Sequence, residues 1–179
     1  MLAESKVKDV LIAYPLIGPN QKKFIQLTAS YPETKFSTLI DHEDQIAQWK
    51  LFKGSTIHVF IDLDAGMHRT GLAPEKVAGL IKGLDNQFNL RGFHIYDGHI
   101  HDRDPEKRKT AVNGYYKTVN QLIASLELPG IEVICGSSIT FPIHAQDPDR
   151  QLSPGTTLLW DFGYASKFPD LEFEYAAIL

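Results

Sequence analysis

The sequence predicts an α/β fold in which helices cover a mostly parallel β-sheet. Short apolar runs alternate along the chain with longer stretches whose apolar positions recur at helical spacing. Strands that are joined through helices pair in parallel by right-handed crossovers. Polar and glycine-rich segments follow the apolar runs, at the strand ends where such folds bind ligands. The same pattern therefore predicts both the fold class and the edge of the sheet that carries the function.

The first half of the chain contains three predicted strands and three predicted helices. The strands cover residues 9–13, 35–40 and 56–63. The third strand, TIHVFIDL, is the clearest of the sequence because β-branched and aromatic residues suit a buried sheet. The helices cover residues 21–31 and 43–50 and a segment that starts at Pro74. Proline suits this position, because the N–H groups of the first turn of a helix have no partner within the helix and the N–H that proline lacks is not missed.

The second half contains three more predicted strands and the longest helix. The strands cover residues 90–96, 131–135 and 156–160. The helix covers residues 105–127, where apolar side chains recur at the spacing of a core-facing stripe. That stripe consists of Val112, Tyr115, Tyr116, Val119, Leu122, Ile123 and Leu126.

The composition of the 179 residues is that of a globular domain, with 43% hydrophobic and 22% charged residues. This apolar content excludes intrinsic disorder, and no run of ~18 uncharged apolar residues is present to span a membrane. The net charge of −4 and the dispersed basic residues argue against a nucleic acid as partner. The single cysteine, Cys135, excludes an internal disulfide. The N-terminus lacks a signal-peptide core, so we expect a cytoplasmic protein.

The number of strands leaves two architectures open. One is an open, doubly wound sheet. The other is a (β/α)₈ barrel, which needs eight strands and ~250 residues. Because six strands are predicted, the chain is either an open sheet or an incomplete barrel.

A glycine-rich segment with a cation follows the third predicted strand. Residues 64–71 read DAGMHRTG. Glycine permits close approach of the backbone to a ligand, and Arg69 offers a planar set of donors to an anionic oxygen. An ordinary turn with a solvated arginine explains the same pattern.

Two histidines alternate at the end of the fourth predicted strand. If the strand continues, His99 and His101 share one face, and Asp102, Asp104 or Asp161 would complete a zinc site. Such a site predicts a metal-dependent barrel hydrolase. Histidines on a polar loop are the alternative interpretation.

Small-residue corners occur next to the last two predicted strands. Residues 135–140 (CGSSIT) and 153–156 (SPGT) combine glycine, hydroxyl groups and backbone N–H groups, which together suit an anion. The Gly-Lys-Ser/Thr pattern of a P-loop is absent from the sequence. Each corner by itself is a common turn, but two in succession predict a phosphate pocket.

Five segments resemble, in order, one enzyme family. They are residues 8–19 (KDVLIAYPLIGP), 62–72 (DLDAGMHRTGL), 92–101 (GFHIYDGHIH), 135–142 (CGSSITFP) and 153–161 (SPGTTLLWD). The chain resembles D-threonine aldolases and D-serine dehydratases, which are related to the N-terminal barrel domain of alanine racemase among the fold type III pyridoxal-phosphate enzymes. The resemblance implies an α/β fold of the (β/α)₈ TIM type, incomplete, with about six strands present. Residues 1–165 would form the partial barrel and residues 166–179 the start of a C-terminal β domain.

The resemblance also implies which residues hold pyridoxal phosphate. Arg69 matches an arginine that hydrogen-bonds the phenolic oxygen of the cofactor, and Tyr96 matches the position beside its pyridine ring. The phosphate-binding positions are matched by Ser137, Ser138 and Thr140 and by the backbone N–H groups of Gly155 and Thr156. Ser153 stands where alanine racemase has an arginine that faces the pyridine nitrogen. This neutral residue favours the aldolase and dehydratase branch over racemase chemistry.

The implied enzyme is a pyridoxal-phosphate-dependent lyase that cleaves D-threonine or dehydrates D-serine. It would act on this small-molecule substrate as a homodimer, activated by a divalent metal, zinc or manganese, whose ligands lie outside this chain. The family's first strand bears the lysine that forms the internal aldimine, and no segment here matches it, so we expect the chain alone to be inactive. The alternatives are the hydrolase that uses His99, His101 and Asp161 and a non-catalytic fragment.

None of the lysines in this chain is expected to form a stoichiometric Schiff base with pyridoxal phosphate, because none lies in a matching sequence context. Borohydride reduction in the presence of the cofactor, followed by peptide mapping, checks this. Full labelling of one lysine within the chain would contradict it.

A barrel that lacks two strands exposes unpaired edges, which the sequence predicts near residues 10–12 and 158–160. Unpaired backbone groups beside apolar side chains template association with other chains. We therefore expect the isolated chain to be marginally stable and to oligomerise.

Overall fold

A computed structural model describes residues 1–176 of the chain. The strands are β1 (Asp9–Pro15), β2 (Lys35–Ile40), β3 (Ile57–Asp64), β4 (Phe88–Tyr96), β5 (Glu132–Cys135) and β6 (Arg150–Leu152). The helices are α1 (Pro19–Ser30), α2 (Glu43–Trp49), α3 (Val77–Gly83), α4 (Pro105–Leu126), α5 (Phe141–His144) and α6 (Phe162–Lys167). Two 3₁₀ turns cover Pro74–Lys76 and Thr156–Leu159.

The strands lie in the sheet in chain order, from β1 to β6. The pairs β1–β2, β2–β3 and β5–β6 are parallel. Parallel neighbours need a crossover connection, which α1, α2 and α5 supply for these three pairs. The predicted α/β class is confirmed, and the sheet has six strands as expected, although the sixth is not the one that was predicted.

The chain forms two compact units, of which unit 1 contains Met1–Asp64 and Arg69–His94. Its core surrounds Trp49, which is fully buried. The Trp49 ring lies 5.4 Å from the ring of Phe24 and 6.0 Å from that of Phe52, measured between centroids. Strand β3 is buried at six of its eight positions. A parallel strand covered on both faces needs a continuous apolar run, which is why this strand is so clear in the sequence.

Unit 2 contains Ala65–His68 and the chain from Ile95 onward, with α4 as its longest helix. Asp104 caps α4 by accepting hydrogen bonds from two backbone N–H groups of its first turn. Arg108 lies on the buried face of the helix, where it donates to the backbone oxygen of Asp102 at 2.9 Å and to the carboxylate of Asp170. Among the described residues, no helix is long and apolar enough to cross a membrane.

The prediction of a strand at residues 156–160 is wrong. Thr156–Leu159 form a 3₁₀ turn in which Leu158 is 81% exposed, so this apolar run does not continue the sheet. The sixth strand is β6 instead, which pairs in register with residues 133–135 of β5. Because β6 is three residues long and mostly polar, the hydrophobic pattern does not reveal it. The edge predicted near residues 158–160 is therefore not a strand edge, whereas β1 is the first strand of the sheet.

The predicted start of a C-terminal β domain at residues 166–179 stays a prediction. Residues 166–167 end α6, and residues 168–176 contain no strand. Residues 177–179 lie outside the described part of the chain.

Candidate cofactor-binding site

A cavity of about 220 Å³ lies in unit 2, at residues that follow the C-terminal ends of β4, β5 and β6. It is lined by Tyr96, Gly98, Ser137, Ser138, Ile139, Ser153, Gly155, Thr156 and Tyr164. We call this cavity the Ser138 pocket. The C-terminal ends of parallel strands are where α/β folds bind ligands. Five of the seven predicted cofactor residues line it, namely Tyr96, Ser137, Ser138, Gly155 and Thr156.

Gly136 sets the direction of the chain after β5. Its φ of +100° is one that residues with a side chain rarely adopt, and a Cβ there would lie 3.2 Å from the Cα of Phe141. The next turn is closed by hydrogen bonds from the N–H groups of Thr140 and Phe141 to the oxygen of Ser137, at 3.3 and 3.0 Å. This turn presents Ser137 and Ser138 to the pocket.

Gly98 leaves room for the side chain of Tyr96. A Cβ at Gly98 would overlap the phenol ring of Tyr96, which lies against the backbone at this point. Both residues line the pocket. The glycine is therefore required for the tyrosine to form the pocket wall in this position.

Several backbone N–H groups at the pocket have no hydrogen-bond partner within residues 1–176. Among them are those of Ser138, Gly155 and Thr156. The hydroxyl of Ser138 likewise has no partner in the described part of the chain. All the lining residues are uncharged. A small neutral cavity with several unused donors suits an anion that is bound through N–H and O–H groups.

A buried polar network lies behind Ser137. Its members Asp97, Thr140 and His144 are fully buried. The hydroxyl of Thr140 lies 2.6 Å from Asp97 Oδ1, and His144 Nε2 lies 2.7 Å from Asp97 Oδ2. Arg150 Nη1 lies 2.9 Å from His144 Nδ1. Because arginine can only donate, Nδ1 accepts, and Nε2 carries the proton that is donated to Asp97.

Burial also shapes the groups around this network. The guanidinium of Arg150 lies 4.2 Å from the ring centroid of Tyr116, and its Nε pairs with the Asp147 carboxylate at 3.0 Å. Burial raises the pKa of Tyr116 above its ordinary value and raises the pKa of the Cys135 thiol to about 11. Cys135 therefore stays protonated at neutral pH, as a small buried residue rather than a nucleophile.

The other predicted cofactor residues do not line the pocket. Thr140 is fully buried behind it, where its hydroxyl contacts Ser137 and Asp97. Arg69 belongs to unit 1, where it follows β3. The segment of residues 64–71 that contains Arg69 brings the chain back against β3. There the N–H of Leu72 donates to the backbone oxygen of Asp62 at 2.8 Å.

The described residues do not bring together the ligands of the predicted zinc site. Within residues 1–176, no group of three His, Cys, Asp or Glu side chains is arranged to hold a metal ion. His101 Nδ1 lies 2.6 Å from the backbone oxygen of His99. The carboxylate of Asp161 caps α6 by accepting from the N–H of Tyr164 at 3.0 Å. The interpretation of the chain as a metal-dependent hydrolase stays a prediction.

Sequence reasoning missed the network around Asp97. Asp97 and His144 are 47 residues apart, and neither His144 nor Arg150 lies in a recognisable motif. Asp97 lies in a polar segment that follows a predicted strand, and the fold buries its carboxylate completely. No spacing in the sequence indicates that these side chains meet.

Residues 16–160 match the family described as alanine racemase, N-terminal domain. The chain belongs to this family. The match favours the barrel over the open sheet, so the predicted incomplete (β/α)₈-type barrel is confirmed. No curated protein gives a match.

Solved structures of similar fold include a D-threonine aldolase and several alanine racemases. The D-threonine aldolase from Filomicrobium marinum is 24% identical, with a TM-score of 0.81 over 98% of this chain and 50% of its own. The alanine racemase from E. faecalis is 17% identical, with a TM-score of 0.71 over 98% of this chain and 46% of its own. The alanine racemase from Bartonella henselae, solved with covalently bound pyridoxal phosphate, is 17% identical with a TM-score of 0.60, over 84% and 40%. The chain thus spans about half the length of the aldolase. The similarity of fold applies to that half.

Proposed function

We propose that this chain is the cofactor-binding part of a cytoplasmic, pyridoxal-phosphate-dependent lyase that acts on D-hydroxyamino acids such as D-threonine or D-serine. The Ser138 pocket carries this proposal. It is a neutral cavity with unused N–H and O–H donors after three parallel strands, in a chain of the alanine racemase N-terminal domain family. The fold likeness to a D-threonine aldolase supports the lyase branch.

The residues of the pocket fit the phosphate group of the cofactor. Phosphate oxygens need donors, which the hydroxyl of Ser138 and the N–H groups of Ser138, Gly155 and Thr156 offer. A Cβ at Gly155 would meet no atom within 4 Å, so the backbone here is open to a ligand.

When bound, the cofactor supplies an electron sink for the bond that is broken at the substrate's α-carbon. The residues of this chain would hold its phosphate end, and Tyr96 and Tyr164 line the same cavity. The Ser153 hydroxyl donates to the backbone oxygen of Gly136 at 3.3 Å. Ser153 stands in place of the arginine that faces the pyridine nitrogen in alanine racemases, and this difference favours a lyase over a racemase. A divalent metal, zinc or manganese, would be held by ligands outside this chain.

Replacing Ser138 with alanine is expected to weaken pyridoxal phosphate binding by at least about tenfold, because a hydrogen bond to a charged group contributes ~1.5–3 kcal/mol. Calorimetric titration of the chain with pyridoxal phosphate and with pyridoxal measures this, since pyridoxal lacks the phosphate. The matched control is Ser125→Ala, which removes an exposed hydroxyl from α4. Equal binding of pyridoxal and pyridoxal phosphate would contradict the proposed site.

The reaction itself is tested with a protein that carries this chain together with a lysine-bearing first strand. We expect glycine and acetaldehyde from D-threonine, or pyruvate and ammonia from D-serine. Racemisation of alanine without these products would contradict the lyase. Cofactor binding without any turnover would favour the non-catalytic fragment.

We also propose that the protein is a homodimer, and that exposed apolar residues of unit 2 contribute to the contact. Leu158, Leu159 and Phe162 are 81%, 64% and 73% exposed, and they are close together in sequence. Replacing Leu158 and Phe162 with serine is expected to lower the apparent mass in light scattering at high protein concentration. The control is Leu51→Ser, which changes an equally exposed leucine of unit 1. A monodisperse monomer at every concentration before substitution would contradict the dimer.

A further inference from the structure

We propose that Asp97 is a positioning residue that makes Ser137 a hydrogen-bond acceptor in the Ser138 pocket. The Ser138 hydroxyl and the backbone N–H groups are then the donors that hold a bound phosphate. This inference rests on the proposed function and assigns different roles to two adjacent serines that line the same cavity.

The single hydroxyl proton of Thr140 decides the direction of the hydrogen bonds. Thr140 Oγ1 lies 2.6 Å from Asp97 Oδ1, and a carboxylate can only accept, so Thr140 donates to Asp97. The same Oγ1 lies 2.8 Å from the N–H of Ser137 and 2.9 Å from its Oγ. With its proton already donated, Thr140 accepts both of these bonds. The hydroxyl proton of Ser137 therefore points to Thr140, and its lone pairs remain for the pocket.

Arg150 and His144, on the other side of Asp97, fix the direction of the hydrogen bond from Thr140 to Asp97. Arg150 donates to His144 Nδ1, so His144 donates from Nε2 to the second oxygen of Asp97. Both carboxylate oxygens thus accept, and the carboxylate has no proton with which to turn Thr140 around. Because Asp97, Thr140 and His144 are fully buried, water is not at hand to replace either bond.

A phosphate oxygen placed beside Ser137 would meet lone pairs rather than a donor. To donate to the phosphate, Ser137 would have to break its bond to Thr140 and leave two lone pairs facing each other at 2.9 Å. Asp97→Asn removes this constraint, since the new amide donates to Thr140 and still accepts from His144. Thr140 then donates to Ser137, and the proton of Ser137 is released toward the pocket.

Calorimetric titration of the full chain with inorganic phosphate tests the proposal. We expect Ser137→Ala to leave the dissociation constant within about twofold, whereas Asp97→Asn tightens binding about threefold to tenfold. The double variant, with both substitutions, should return to the affinity of the unaltered chain. Weakening of binding by Ser137→Ala alone to the extent seen for Ser138→Ala, or no gain from Asp97→Asn, would overturn the inference.

Two further measurements keep the inference testable if Asp97→Asn does not fold. Thr140→Val removes the acceptor of the Ser137 proton and should also tighten phosphate binding, whereas Thr140→Ser should leave it unchanged. Nitrogen-15 NMR of His144 should show the proton on Nε2, and a proton on Nδ1 would overturn the hydrogen-bond direction. If the unaltered chain binds no phosphate, the proposed function fails, and the hydrogen-bond direction is judged from the His144 tautomer.

Discussion

Replacement of Asp97 with alanine is expected to lower the free energy of unfolding by about 2–6 kcal/mol, because two buried hydrogen-bond donors lose their partner. The hydroxyl of Thr140 and Nε2–H of His144 both donate to this carboxylate and are fully buried. Without it, each donor loses its partner, at a cost of ~1–3 kcal/mol apiece. Urea unfolding monitored by tryptophan fluorescence measures the loss.

Two controls separate this effect from the loss of a charge. Asp97→Asn keeps a partner for each buried donor, so we expect it to cost less than half as much as Asp97→Ala. Asp149→Ala removes an exposed carboxylate and should change stability by no more than about 0.5 kcal/mol. If Asp97→Ala were no more destabilising than Asp149→Ala, the buried network would not hold the turn after β5.

Replacement of Gly71 with alanine is expected to lower the free energy of unfolding by at least about 3 kcal/mol, because it adds backbone strain to a steric overlap. Gly71 has a φ of +102°, and a Cβ there would lie 2.5 Å from the backbone nitrogen of Asp64 and 2.8 Å from the carbonyl carbon of Leu63. These atoms belong to β3 and cannot move without disturbing the strand. The N–H of Gly71 also donates to Asp41 Oδ2 at 2.9 Å, a bond that a displaced chain would lose.

Gly79→Ala is the matched control for this substitution. Gly79 lies within α3, and a Cβ there would meet no atom within 4 Å. Alanine at such a helical position should stabilise the protein by ~0.5–1 kcal/mol. Opposite signs for the two variants in chemical denaturation are the expected result, and equal effects would contradict the steric explanation.

The structure contains the predicted helices and most of the predicted strands, because each of them depends on residues that are close together in the sequence. The expected helix at residues 105–127 is present as Pro105–Leu126, since Asp104 caps it and its apolar residues recur along one face. The expected strand at residues 35–40 is present with the same bounds. By contrast, β6 is held by its pairing with β5, so its polar residues show no pattern of their own.

The part of the candidate site that consists of glycine- and serine-containing turns could be predicted from the sequence. Ser137, Ser138, Gly155 and Thr156 line the pocket because small residues after parallel strands meet at one edge of a sheet. Thr140 was expected to contact the cofactor, but the fold places it one layer behind. Its role in holding phosphate directly stays untested.

The sequence by itself determined the α/β class, the family and the glycine and serine corners, because periodicity and short motifs depend on residues that are close in the chain. Only the tertiary structure decided that Asp97, His144 and Arg150 form one network, since 47 residues separate the first two. It also decided which way the hydroxyl of Ser137 points. The direction of a hydrogen bond depends on every partner that a proton can reach in three dimensions, and the order of residues does not contain that information.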